Sequence, residues 1–168
     1  MGELKMPITF NADEIFEMAE EIERNGAKFY RKAAANTSDK TAKKMLLDLA
    51  VMEDGHLEIF QAMRRKLTGR EKEPLVYDPD NEAAQYLQAM ADMHGCEGKI
   101  SPIKELTGRE TLKEIIEIAL NAEKESVVFY FGLKNFVSDA AGKSRVEKII
   151  NEEIGHINVL NQRLLELL

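Results

Sequence analysis

The apolar positions of this chain recur every three or four residues over four long stretches, the spacing of one-sided helices. In the first, Ile15, Met18, Ala19, Ile22, Gly26, Phe29, Tyr30 and Ala33 share a face, which predicts a helix over about 12–36. In the second, Ala42, Met45, Leu46, Leu49, Phe60, Met63 and Leu67 predict a helix over about 39–67. The third, marked by Leu112, Ile115, Ile116, Ala119, Ser126, Tyr130 and Leu133, covers about 109–137. The fourth, marked by Val146, Ile149, Leu160, Leu164 and Leu167, covers about 139–167. Capping residues stand at the expected starts: Asn11 with Glu14, then Ser38, then the Thr107–Glu110 pair, then Ser138. Gly69 fits the stop of the second helix.

Between the second and third stretches the pattern breaks. Pro74, Pro79, Gly95, Gly98 and Pro102 interrupt residues 70–108, leaving room for one short helix over about 81–94. The segment is too long for a hairpin turn and suits a crossover along the outside of a bundle.

Polar residues intrude on the stripes in an ordered way. Glu23 lies on the first, Glu53 and His56 on the second, Glu123 on the third, and Glu153 and His156 on the fourth. The second and fourth stretches carry the same motif, Glu53-Asp54-Gly55-His56 and Glu153-Ile154-Gly155-His156, one hundred residues apart. The same offset, without a gap, maps Ile15, Ala19, Glu23, Phe29, Tyr30 and Asp39 onto Ile115, Ala119, Glu123, Phe129, Tyr130 and Asp139. The chain is therefore read as one domain of two repeated helix hairpins, repeat 1 over about 12–67 and repeat 2 over about 109–167, joined by a crossover over about 68–108. The expected fold class is all-α, a four-helix bundle.

Glu and His three residues apart project from one helix face and can close on one metal ion. A carboxylate buried without a partner costs several kcal/mol, and no Lys or Arg shares these stripes. Four carboxylates are balanced by two divalent cations, and two imidazoles complete a set of oxygen and nitrogen donors. That set suits iron or manganese, with zinc able to substitute. The candidate metal ligands are Glu23, Glu53, His56, Glu123, Glu153 and His156, with Glu20 as an alternative on the first helix. Otherwise Glu17, Glu20, Glu21 and Arg24 read as a solvated face. Tyr30 and Tyr130 lie two turns after Glu23 and Glu123, as core rings whose hydroxyls can reach site carboxylates. Gly55 and Gly155, beside the histidines, suggest close packing or room for a neighbouring side chain, and Met45, Met52 and Met63 read as core. His94 and Cys96 read as structural or surface residues.

Composition narrows the function classes. The net charge of −7 over 168 residues argues against nucleic acid or an anionic membrane as partner. One cysteine rules out a disulfide within the chain and a Cys-based cluster. No apolar run spans a bilayer, and Met1–Phe10 lacks the plan of a secretory signal, so a cytoplasmic protein is expected.

The stretch Ile22-Glu23-Arg24-Asn25-Gly26-Ala27-Lys28-Phe29-Tyr30 and the two Glu-x-Gly-His motifs resemble the ferritin-like superfamily, in particular its rubrerythrin-like branch. The resemblance covers nearly the whole chain. It implies a ferritin-like bundle in which Glu53 and Glu153 bridge two irons, Glu23 and Glu123 are terminal ligands, and His56 and His156 bind one iron each. It implies a non-haem di-iron oxidoreductase that reduces peroxide or dioxygen, with Glu53, Glu153, Tyr30 and Tyr130 as the catalytic set. Rubrerythrins proper add a four-cysteine rubredoxin-like domain, and a carboxylate where this chain has Ser126. An external electron-donor protein is therefore expected, and a homodimer. The competing expectations are a ferroxidase-type iron-storage protein and a non-catalytic helical module stabilised by metal.

Overall fold

The computed structural model describes residues 12–69, 106–137 and 140–168. They form four α-helices: α1 (Ala12–Asn36), α2 (Lys40–Arg64), α3 (Leu112–Leu133) and α4 (Ala140–Glu166). A single 3-10 turn, Lys134–Phe136, extends α3. No strand occurs among the described residues. The caps at Asn11 and Ser138, the short helix over 81–94, His94 and Cys96 lie outside the described residues.

The helix starts are set by side chains that accept the free N–H groups of the first turn. At α2 the cap is Asp39 rather than Ser38; its carboxylate accepts from the Ala42 N–H at 2.9 Å. At α3 the cap is Thr111 rather than Thr107, and the helix starts at Leu112 rather than at about 109. Thr111 and Glu114 form a complete capping box. The expected pair Thr107–Glu110 is bonded, but it closes a turn ahead of the helix. Glu110 accepts from the Thr107 N–H and hydroxyl and from the Gly108 N–H. Those bonds, led by the Thr107 hydroxyl, hold the Glu110 carboxyl down at about 2. Gly108 sits there at φ +85°, a conformation that glycine adopts without strain.

α1 ends at Asn36 as predicted, while α2 and α3 fall short of their predicted limits. α2 stops at Arg64, before Leu67 and Gly69, in a turn closed by Lys66 N–H to Met63 O and Leu67 N–H to Arg64 O. α3 gives way to the 3-10 turn after Leu133. Apolar periodicity continues through such turns because their residues still pack inward, so it overstates helix length.

Two apolar clusters fill the bundle. One joins Ile15, Phe16 and Ile22 of α1, Phe60 and Met63 of α2, Phe129 and Leu133 of α3, and Val146 and Ile149 of α4. The other joins Phe29 and Ala33 of α1, Leu46 and Leu49 of α2, Ile116 and Leu120 of α3, and Leu160 of α4. Each cluster takes opposite halves of α1 and α2, and opposite halves of α3 and α4, so each hairpin is antiparallel. The same assignment makes α2 and α3 parallel: α2 ends beside the first cluster and α3 begins beside the second. The four helices therefore run up, down, down and up. Between the clusters every helix contributes polar residues, and there the bundle carries its chemistry.

Three assignments are corrected. Met52 is 40% exposed rather than core, and Leu167 lies exposed just past the end of α4. Glu20, read as a solvated or alternative-ligand residue, is buried, because Arg64 reaches across from α2 to meet it at 3.6 Å. Arg64 also donates two 3.0 Å hydrogen bonds to Asp13.

Candidate metal centre

The polar layer is built from one residue of α1, two of α2, one of α3 and two of α4. Helical geometry explains the placement. Glu53 and His56, and Glu153 and His156, lie one turn apart, while Glu23 and Glu123 face them from the partner helices of each hairpin. All six are buried. Their ligand atoms fall into two groups, Glu23–Glu53–His56–Glu153 and Glu53–Glu123–Glu153–His156, each with its atoms within 4.8 Å of one another. Glu53 and Glu153 belong to both groups. Glu20 belongs to neither.

Both imidazoles turn Nδ1 towards the carboxylates. His56 Nδ1 lies 2.9 Å from Glu153 and 3.5 Å from Glu23. His156 Nδ1 lies 2.9 Å from Glu153, 3.3 Å from Glu53 and 3.4 Å from Glu123. The two rings are nearly parallel, at 19° with centroids 5.7 Å apart. Both Nδ1 atoms stand at ion-pair distance from Glu153, yet neither they nor Glu23 Oε2, Glu53 Oε1 and the two oxygens of Glu153 complete a hydrogen bond. Buried polar atoms are normally satisfied, so a cluster of orphans aimed at one small region marks a place for cations.

The tyrosines tie the two hairpins together. Tyr30 donates to Glu123, and Tyr130 donates to Glu23, so each hydroxyl serves the carboxylate of the opposite repeat. Burial and the neighbouring carboxylates raise both phenols well above their ordinary range, keeping them as donors.

Gly26 is the second point of close approach. A Cβ there would stand 3.4 Å from Glu53 Cγ and 3.5 Å from its carboxylate, ordinary contact distances, so Glu53 lies directly against α1 at this point. Gly55 and Gly155, expected to serve this purpose, do not: a Cβ at either would meet nothing within 4 Å. The repeat places them on the outer side of the histidines, away from the packed seam.

The metal-free cluster is held together by protons. Burial pushes Glu53 well above the carboxylate range, with the Glu153 charge adding to it. Burial and Glu153 push Glu123 up to about 8. Burial alone would lower the histidines, but contacts with Glu153 and Glu23 outweigh it at His56, raising it to about 11. Contacts with Glu123 and Glu153 likewise raise His156 to about 9. Burial works against ionised Glu153, yet its contacts with His156 and His56 hold it well below the usual range.

A stability profile follows. Groups with raised values bind more protons folded than unfolded, so their stabilisation is full at low pH and is lost as pH rises. For Glu123 the loss runs from about 4.5 to about 8, and for His156 from about 6.5 to about 9. Glu153, lowered, acts in the opposite sense, and only below about 4.5. The melting temperature of metal-free protein should therefore fall by several degrees between pH 6 and 9, measured by circular dichroism; a rise across that range contradicts the account.

One residue of the site escaped the sequence reading. Glu152 accepts from the outer nitrogen of His56, with Nε2 2.9 Å from its Oε2. It lies off the inward stripe, and its only sequence signal is a break in the repeat, where the equivalent position is Met52.

No protein-family model matches the chain, and no curated protein matches it. Among solved structures, the chain is similar to a Thermotoga maritima protein described as a candidate ferritin-like diiron-carboxylate protein. The TM-score is 0.72 at 25% sequence identity, covering 95% of this chain and 98% of that one. No described helix is long and apolar enough to cross a membrane. The chain thus has the ferritin-like four-helix fold, with two overlapping Glu/His clusters of metal-binding composition at its centre.

Proposed function

We propose that the chain is a non-haem di-iron carboxylate protein of the rubrerythrin-like kind, reducing peroxide or dioxygen with electrons from an external donor protein. The observation that carries this is the pair of clusters sharing Glu53 and Glu153, in which Glu53 Oε1, both Glu153 oxygens and the two Nδ1 atoms complete no hydrogen bond. The donor set fits: four carboxylates offset two divalent cations, and oxygen with imidazole nitrogen suits iron or manganese. The similarity to a candidate diiron-carboxylate protein supports iron.

In this reading Glu53 and Glu153 would be shared by two cations, Glu23 with His56 would help hold one, and Glu123 with His156 the other. Bound there, a pair of irons supplies two electrons and Lewis acidity for cleaving an O–O bond. The chain's own residues do the rest. Tyr130 and Tyr30 fix one oxygen each of Glu23 and Glu123, leaving the other oxygen free to ligate. The apolar clusters on either side keep bulk water from the layer. The proposal includes a cytoplasmic homodimer.

The test is anaerobic ferrous titration of metal-free protein, followed by peroxide and dioxygen consumption. Saturation near about two irons per chain, with peroxide consumed faster than by free iron, is the expected result. Uptake far beyond that would transfer the protein to iron storage, and binding without turnover would make the metal structural.

A further inference from the structure

The hundred-residue repeat makes the two halves of the cluster alike in their six candidate ligands and two tyrosines, while Gly26 maps onto Ser126. Behind the histidines they differ. His56 Nε2 meets Glu152 at 2.9 Å, and Glu152 is partly exposed, with Lys148 3.6 Å from its other oxygen. The offset maps Glu152 onto Met52, whose thioether is at best a weak acceptor. His156 Nε2 is buried and has no hydrogen-bond partner.

We propose that Glu152 is a positioning residue that makes the two metal positions inequivalent, so that the Glu23–His56 side fills before the Glu123–His156 side. This rests on the two-metal reading above. A carboxylate on the outer nitrogen holds the proton on Nε2, so that when a cation displaces the Nδ1 proton the ring is already oriented, and Nδ1 becomes a better donor. His156 Nε2 has no such partner. Loss of a partner of this kind typically weakens metal binding about 10–100-fold, which sets the expected gap between the two steps.

The test follows the imidazole nitrogen resonances of metal-free full-length protein during titration with Zn(II), a redox-silent probe. His56 should respond to the first equivalent and His156 to the second. In Glu152→Met, the first step should weaken about 10–100-fold and the order should vanish. Glu152→Gln, whose amide oxygen still accepts from Nε2–H, should keep the order. The double exchange of Met52→Glu with Glu152→Met should reverse it. A merely structural role for Glu152 would lower the melting temperature without reordering the two responses. Simultaneous filling in the unaltered protein, or an unchanged order in Glu152→Met, overturns the proposal. If neither imidazole responds to zinc, the two-metal reading itself falls, and the proposal with it.

Discussion

Glu153→Ala protein should hold no metal pair and should consume peroxide no faster than the buffer does. Glu153 is the one residue in close contact with both imidazoles, at 2.9 Å each, and it belongs to both ligand groups. Its removal takes a shared ligand from both positions at once, so the loss is not confined to one ion. It also takes away the anion that both histidines share, leaving His56 with Glu23 and His156 with Glu53 and Glu123 as partners. Breaking a buried pair in this way typically costs about 3–5 kcal/mol, less whatever is recovered when the histidines release their protons. Ferrous titration and peroxide assays check the first effect, and denaturant unfolding checks the second. Turnover equal to that of the unaltered protein would sink the di-iron reading.

Phe60→Ala should be the most damaging change that leaves every ligand in place. Phe60 is fully buried and packs on Phe16, with ring centroids 6.3 Å apart, and on Tyr130, at 5.0 Å. Truncating a buried phenylalanine typically costs about 3–5 kcal/mol, from lost transfer energy and the cavity left behind. In a chain of this size that is a fall in melting temperature of roughly 6–20 °C. Tyr130 loses its neighbour and with it part of the support for Glu23, so metal affinity should weaken as well. The control is Val51→Ala, at a position 67% exposed, which should change stability by less than about 0.5 kcal/mol. Equal melting temperatures for the two variants would refute the assignment of Phe60 to the core.

The six clustered residues were legible because two signals coincide on them. They are polar where helical periodicity demands apolar residues, and they repeat at a fixed offset. Burial of carboxylates is costly enough that a chain repeats it only for a reason, so the pattern carries physical information as well as similarity. What stayed hidden depends on relations between elements. Tyr30 could be seen to reach towards the site, but its partner, Glu123, belongs to the other hairpin, and spacing within one helix cannot say so. Gly26 looked like one more small residue on a stripe, whereas Glu53 of α2 lies directly against it. Gly55 and Gly155 drew attention by standing beside the histidines, yet adjacency in a helix places them on another face. Helix limits failed for a local reason: Thr111 and Glu114 outcompete Thr107 and Glu110 for the start of α3, and both pairs have the same letters at the same spacing.

The reciprocal tyrosine bonds also bear on how the chain reaches this state. Tyr30–Glu123 and Tyr130–Glu23 join residues 93 and 107 apart, and His56–Glu152 joins residues 96 apart. Each hairpin, by contrast, is closed by a turn of a few residues. Loop closure is paid before distant contacts give any return, so contacts within a hairpin have the shorter search. The polar layer then comes into being only when two finished hairpins dock, with four carboxylates arriving together from opposite sides.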